Sequence, residues 1–153
     1  MPAQPSHQDA SLDERTLDLV ERVSLSDIHF LKTSAQRGDT PQDESESTKY
    51  SADFDMSIDV KDDLSAMRVC VKVQIELDVG EVETEIALVY SGTDGDLGDL
   101  PPELLENFVN KVAFMAAFPY LRAEVSALTS KVFGSPLNMP IITQGDITSS
   151  QTD

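Results

Sequence analysis

Two histidines, one cysteine and a few runs of carboxylates are the residues here whose chemistry could support a mechanism. His7 lies in a polar N-terminal stretch. His29 falls between Ile28 and Phe30, in opposite phase to both, which marks it as a polar-face residue of a strand. No serine or cysteine motif accompanies it, so a general base would have no nucleophile to serve. Cys70 stands between Arg68 and Lys72, cations of the kind that lower a thiol pKa. It has neither a second cysteine nor a paired histidine, and is read as an inert thiol. Asp94-Gly95-Asp96-Leu97-Gly98-Asp99 begins like a calcium loop. Gly98 then takes the place of the third ligand, Asp99 that of the glycine, and Leu105 that of the closing glutamate. The stretch is therefore expected to be a solvated turn, as is the adjacent pair Asp62 and Asp63. No glycine-rich loop ends in Lys-Ser or Lys-Thr, and no zinc spacing is present. The expectation is a protein with no catalytic centre, no metal and no cofactor.

Composition narrows the partners. The chain has 153 residues, 25% charged and 40% hydrophobic, which suits one globular domain with frayed ends. Lys plus Arg total 11 against 28 Asp plus Glu, a net charge of −17. A field of that sign repels nucleic acid and anionic membrane surfaces. A single cysteine fits a reducing compartment. Met1 to Glu14 lacks the basic segment and apolar core of a signal peptide. No apolar run approaches a membrane span, so direct membrane insertion is not expected. These features predict a cytoplasmic protein.

Hydrophobic periodicity supplies the elements. Residues 1–11, with Pro2 and Pro5, read as a disordered tail. Leu12 to Glu21 reads as a short helix. From Val23 the pattern alternates, and its phase jumps once between Leu25 and Ile28, which predicts a strand with one bulge. Gln36 to Lys49 is Gly-, Pro-, Ser- and acid-rich and reads as a loop. Three strict period-two runs follow: Tyr50 to Val60, Met67 to Leu77, and Val82 to Tyr90. Each presents one apolar and one polar face. Gly80 marks a tight hairpin between the last two. Pro101 and Pro102 open a helix carrying Leu104, Leu105, Phe108, Val109, Val112, Met115 and Ala116, and Pro119 is expected to kink or restart it. Gly134 and Pro136 end it. The fold class is α+β: a four-stranded antiparallel sheet followed by one or two helices packed on it. The domain spans 12–142 and a polar tail spans 143–153. The helical segment is apolar over a wide arc, more than one small layer buries, and this points to oligomerisation or binding of other chains.

Phe118-Pro119-Tyr120-Leu121-Arg122, then Ser130-Lys131, then Leu137-Asn138-Met139-Pro140-Ile141 resembles the signature region of the SecB chaperones. That family carries Phe-Pro-Tyr-Ala-Arg, a helix ending in Ser-Arg, then Leu-Asn-Leu and a proline. The spacing from Phe118 to Asn138 is similar without a gap. The strand order upstream and Asp78-Val79-Gly80-Glu81, which looks like the family's Leu-Gly-Glu turn, extend the resemblance over roughly 20–142. Ala123 replaces a glutamate and Val132 a glycine of that pattern. The family's last amphipathic helix is missing or eroded after Ile142, which weakens an export role.

The resemblance implies an ATP-independent holdase, a homotetramer built as a dimer of dimers, with unfolded preproteins as clients for the Sec translocase. It implies client contacts at Phe54, Met56, Phe133, Leu137 and Met139. It implies contacts to the SecA motor at Asp27, Val79 and Glu81, although Leu31 stands where a second acidic position is expected. An alternative is a SecB-like chaperone dedicated to the antitoxin of a toxin–antitoxin pair. Another is a structural adaptor without chaperone action.

Overall fold

The structure, a computed structural model, describes residues 7–38 and 50–139, with side chains from Ser11 onward. Residues 1–6 of the expected 1–11 tail, most of the 36–49 loop and the C-terminal tail lie outside the described residues. Helix α1 (His7–Arg22) leads directly into β1 (Val23–Arg37). Then come β2 (Tyr50–Val60), β3 (Ala66–Leu77) and β4 (Gly80–Gly92). The rest is helix: α2 (Pro102–Phe108), a π-helical turn (Val109–Ala113) and α3 (Phe114–Phe133). Helix α1 starts at His7 rather than Leu12, and β1 takes in Gln36 and Arg37 of the expected loop.

The four strands form one antiparallel sheet in the order β1-β4-β3-β2. Alternation decides which face is covered. Met67, Val69, Val71, Val73 and Ile75 of β3 and Val82, Ile86 and Leu88 of β4 are at most 2% exposed. Each such side chain contributes about 1.5–3 kcal/mol by leaving water. The β3–β4 hairpin closes with Leu77 opposite Gly80, leaving Asp78 and Val79 as a two-residue turn. Gly80 has φ +155°, and a Cβ there would meet Gln36 O at 2.0 Å, so only glycine fits.

Strand β1 carries two bulges where one was expected. Register shifts fall between Leu25 and Asp27 and between Phe30 and Lys32. Each inserts one unpaired residue, Ser26 and Leu31. Leu25, Ile28, Phe30, Thr33 and Ala35 thereby stay in register with the inward row of β4, from Tyr90 to Val82. The second bulge escapes a periodicity reading because Phe30 and Leu31 are both apolar.

The helical segments run on as one. Val109 and Ala113, at the two junctions, both keep right-handed helical dihedrals. Helix α3 continues through Pro119, so the expected break is absent there. Pro119 and its neighbour Tyr120 are exposed, and water can take the carbonyl that proline leaves unpaired. The ladder instead changes spacing at the π turn, where Phe114 N donates to Val109 O. Gly134, at φ +87°, ends the helix in a left-handed cap, its N–H donating to Ser130 O at 3.1 Å.

Helix α3 buries one stripe: Phe114, Ala117, Phe118, Leu121, Val125, Thr129 and Phe133. Phe108 meets Tyr90 edge-on, with centroids 5.0 Å apart. Thr33 donates to Glu124 and Arg37 to Val132 O, tying β1 to α3. Helix α1 docks on α2 through fully buried Leu19 and through Thr16, whose Oγ1 accepts from Asn107 at 2.6 Å. Lys111 and Asn107 hold the Asp13 carboxyl below the usual carboxylate range.

Candidate client groove

Strand β2 ends the sheet, and among the described residues its outer edge pairs with no other strand. Along it Tyr50, Ala52, Phe54, Met56, Ile58 and Val60 are half-buried, while Ser51, Asp53, Asp55, Ser57 and Asp59 are exposed. An edge strand has neighbours on one side only, so its inward side chains are covered incompletely. Helix α2 crosses beside them without closing over them. Between the two lies an open groove of about 470 Å³. Phe54, Met56 and Ile58 line it from the strand, and Pro102, Leu105, Val109 and Asn110 from the helix. Asp55 and Glu106 give it an acidic rim.

The floor is rigid. Phe54 packs edge-on against Phe114, centroids 5.2 Å apart at 79°, and tilted against Phe118 at 6.2 Å. Aromatic pairs at such separations add about 0.5–1.5 kcal/mol beyond their burial. The site thus combines a trough of mixed apolar and polar lining, with Ser57 and Asn110 among the polar groups, an exposed strand edge and an acidic rim. Those are the parts needed to hold an extended polypeptide by main-chain pairing and side-chain pockets.

Of the expected client contacts, Phe54 and Met56 come together here. Phe133, Leu137 and Met139 do not join them. They are 8%, 9% and 2% exposed and belong to the core. Phe133 lies against the Gly80 turn, and Leu137 N donates to Thr129 Oγ1 at 2.7 Å. As placed, they stabilise the end of α3 and leave little surface for a partner. Ile58, Leu105 and Val109 escaped the sequence reading. Ile58 shares the period-two phase of Phe54 and Met56, and Leu105 and Val109 are an i,i+4 pair.

The expected motor contacts lie elsewhere. Asp27 pairs with Val89 on β4, and Glu81 pairs with Gln36. Those two positions are about 27 Å apart along the strand. Asp27 accepts from Ile28 N and stands 3.3 Å from His29 Nδ1, on an exposed edge. Val79 sits in the hairpin turn, its carbonyl accepting from Gly38 N at 2.7 Å. The three residues do not form one patch.

The residues with chemical potential are also spoken for. Cys70 is 7% exposed, with Arg68 Nε 3.5 Å from its sulfur. In the Asp94–Asp99 loop, Asp96 accepts from Gly98 N at 2.6 Å and Leu97 is fully buried. That loop is a self-capped turn anchored in the core. On the outer sheet face Lys32 hydrogen-bonds Glu83 and holds its carboxyl below the usual range. Among the described residues no group of three or more His, Cys, Asp or Glu is placed to hold a metal. No described helix is long and apolar enough to cross a membrane.

No protein-family model and no curated protein sequence matches the chain. Solved structures do. A SecB-like chaperone of Mycobacterium tuberculosis, solved in complex with a ChAD peptide from the HigA1 antitoxin, superposes with a TM-score of 0.74. The match covers 90% of this chain and 100% of that one, at 23% identity. The chain has a SecB-like fold. A protein of unknown function from Streptococcus agalactiae also matches, with a TM-score of 0.42 and 9% identity over 78% of this chain and 97% of that one. The SecB-like fold accounts for the element order, with the sheet before the long helix.

Proposed function

We propose that this protein is an ATP-independent holdase that binds non-native polypeptide in the groove between β2 and α2. The observation that carries this reading is a trough with apolar side chains, open beside a strand edge that pairs with no other described strand. Hydrophobic contact supplies the affinity at about 25 cal/mol per Å² buried. Met56 supplies a flexible, adaptable surface suited to varied sequences. The client contacts are Phe54 and Met56, joined by Ile58, Leu105 and Val109.

The test is suppression of aggregation of reduced, alkylated α-lactalbumin without nucleotide. Wild-type protein is expected to suppress it at stoichiometric amounts. Met56→Glu and Ile58→Asp, which place charge in the trough while leaving the Phe54 floor intact, are expected to lose the effect. Wild-type protein that suppresses nothing would sink the holdase reading and favour a structural adaptor.

As to the client, we favour a dedicated antitoxin over preproteins destined for export. The support is the antitoxin peptide bound to the Mycobacterium tuberculosis protein of the same fold. The separation of Asp27 from Glu81 along β4 supports the same preference. Binding to the C-terminal segment of the SecA motor, lost on Asp27→Ala or Glu81→Ala, would restore export. In either case the protein works in the cytosol as a homotetramer.

A further inference from the structure

The groove wall and helix α1 share one stretch of helix. Leu105, Glu106, Val109 and Asn110 line the groove. The interleaved Asn107 and Lys111 hold α1 instead. Asn107 Nδ2 donates to Thr16 Oγ1 at 2.6 Å and to Asp13 Oδ1 at 3.3 Å, and Lys111 Nζ meets Asp13 Oδ1 at 2.7 Å. Asn107 and Lys111 are an i,i+4 pair and present one stripe to α1. The C-terminal end of α1 also fastens the loop that leads into α2. Arg22 O accepts from Thr93 N at 2.9 Å and Thr93 Oγ1 at 3.2 Å, and the Arg22 guanidinium donates to Leu97 O. Helix α1 therefore grips the wall at both ends, before Pro102 and at the π turn.

The gripped segment is where the described helix changes its spacing. Phe114 N reaches back to Val109 O, an i→i+5 bond, whereas a regular helix would bond i→i+4. Reversion to regular spacing turns one side of the helix against the other by about 100°, the angle of one residue. Val109 and Asn110, at the start of this turn, are groove residues. Lys111, next in the chain, is the residue tied to Asp13. An exposed ion pair alone contributes at most about 1 kcal/mol. Here it acts together with the Asn107–Thr16 bond and with Leu19, which is 0% exposed.

We propose that α1 regulates the groove: docked, it holds the π turn and the wall in the binding arrangement, and loosened, it releases both. The inference rests on the reading of the groove as a polypeptide site. Linkage makes the effect reciprocal, so a polypeptide in the groove tightens α1 by the factor that α1 tightens the polypeptide.

The experiment is hydrogen exchange on the full chain, wild type and Asn107→Ala/Lys111→Ala, with and without reduced, alkylated α-lactalbumin. In the free double variant, amides of α1 and of Val109–Ala113 are expected to exchange faster while those of β3 and β4 keep their rates. The double variant is expected to bind the polypeptide about fivefold more weakly. Filling the wild-type groove is expected to slow exchange in α1, which does not line it. Unchanged exchange in the free double variant, or unchanged affinity despite faster exchange, overturns the regulation alone. Wild-type protein that binds no polypeptide, or binds it equally well as Ile58→Asp, overturns the groove reading and the regulation with it.

Discussion

Tyr90 and Thr129 show how single buried polar groups set the stability of this molecule. Tyr90 is 5% exposed and its hydroxyl has no hydrogen-bond partner among the described residues. Burial pushes its pKa up to about 12 from 10.0. Above pH 10 the unfolded chain releases this proton and the folded chain keeps it, so the unfolded state gains. Stability is expected to fall by about 2–3 kcal/mol between pH 10 and pH 12 on this account. Tyr90→Phe should remove that part of the fall and match or exceed wild type at pH 7, since it deletes an unpaired polar atom. Urea unfolding of both proteins across the range checks it. Thr129 is the opposite case. Its hydroxyl donates to Val125 O at 2.8 Å and accepts from Leu137 N at 2.7 Å. Thr129→Val keeps the shape and strands the Leu137 N–H. A loss of about 1–3 kcal/mol in urea unfolding is expected. Phe54, Met56 and the buried trio Phe133, Leu137 and Met139 were equally apolar candidates in the sequence. Burial separates them, and burial depends on which strand is central and which is an edge.

At the scale of elements, alternation made β2, β3 and β4 legible almost to the residue. Period two forces one face inward once a core exists. The hairpin was legible from Gly80, the glycine that breaks the alternation between two strands and here follows the Asp78–Val79 turn. Gly80→Ala is expected to cost about 3 kcal/mol or more, because its Cβ would meet the Gln36 carbonyl at 2.0 Å. A lowered thermal midpoint without gain of a new β3–β4 register, followed by amide exchange, checks this. The helix was less legible. Proline chemistry pointed to Pro119, but the spacing changes upstream at Val109–Ala113. A proline on the solvent side loses a bond that water can replace, whereas α2 and α3 must each keep their own buried stripe, Leu104 and Phe108 on one and Phe114 and Phe118 on the other.

At the scale of the whole molecule, the unmatched surface is large. Leu25, Phe30 and Leu31 of edge strand β1 are 41%, 40% and 43% exposed, and Tyr120 of α3 is 48% exposed. Exposed apolar side chains concentrated on an edge strand are a liability unless covered. In the proposed homotetramer a second copy covers them. Sedimentation at micromolar concentration is expected to give a tetramer for wild type and smaller species for Phe30→Asp, with the far-ultraviolet spectrum retained. A wild-type monomer would refute the assembly. The charge of −17 acts at this scale too, favouring solubility and repelling polyanions.

Local chemistry alone determined the α+β order and the antiparallel pairing. Each follows from residue type and short-range spacing, which no later packing alters. The resemblance at Phe118 to Ile141 pointed to the fold. Tertiary structure decided the rest. It made β2 and β1 the sheet edges, which leaves Phe54 and Met56 beside a groove and sinks Leu137 and Met139 in the core. It also set α1 on the back of the groove wall through Asn107 and Lys111. Which strand lies at an edge, and which helix backs which, depends on contacts between residues distant in the chain. No short-range pattern carries them.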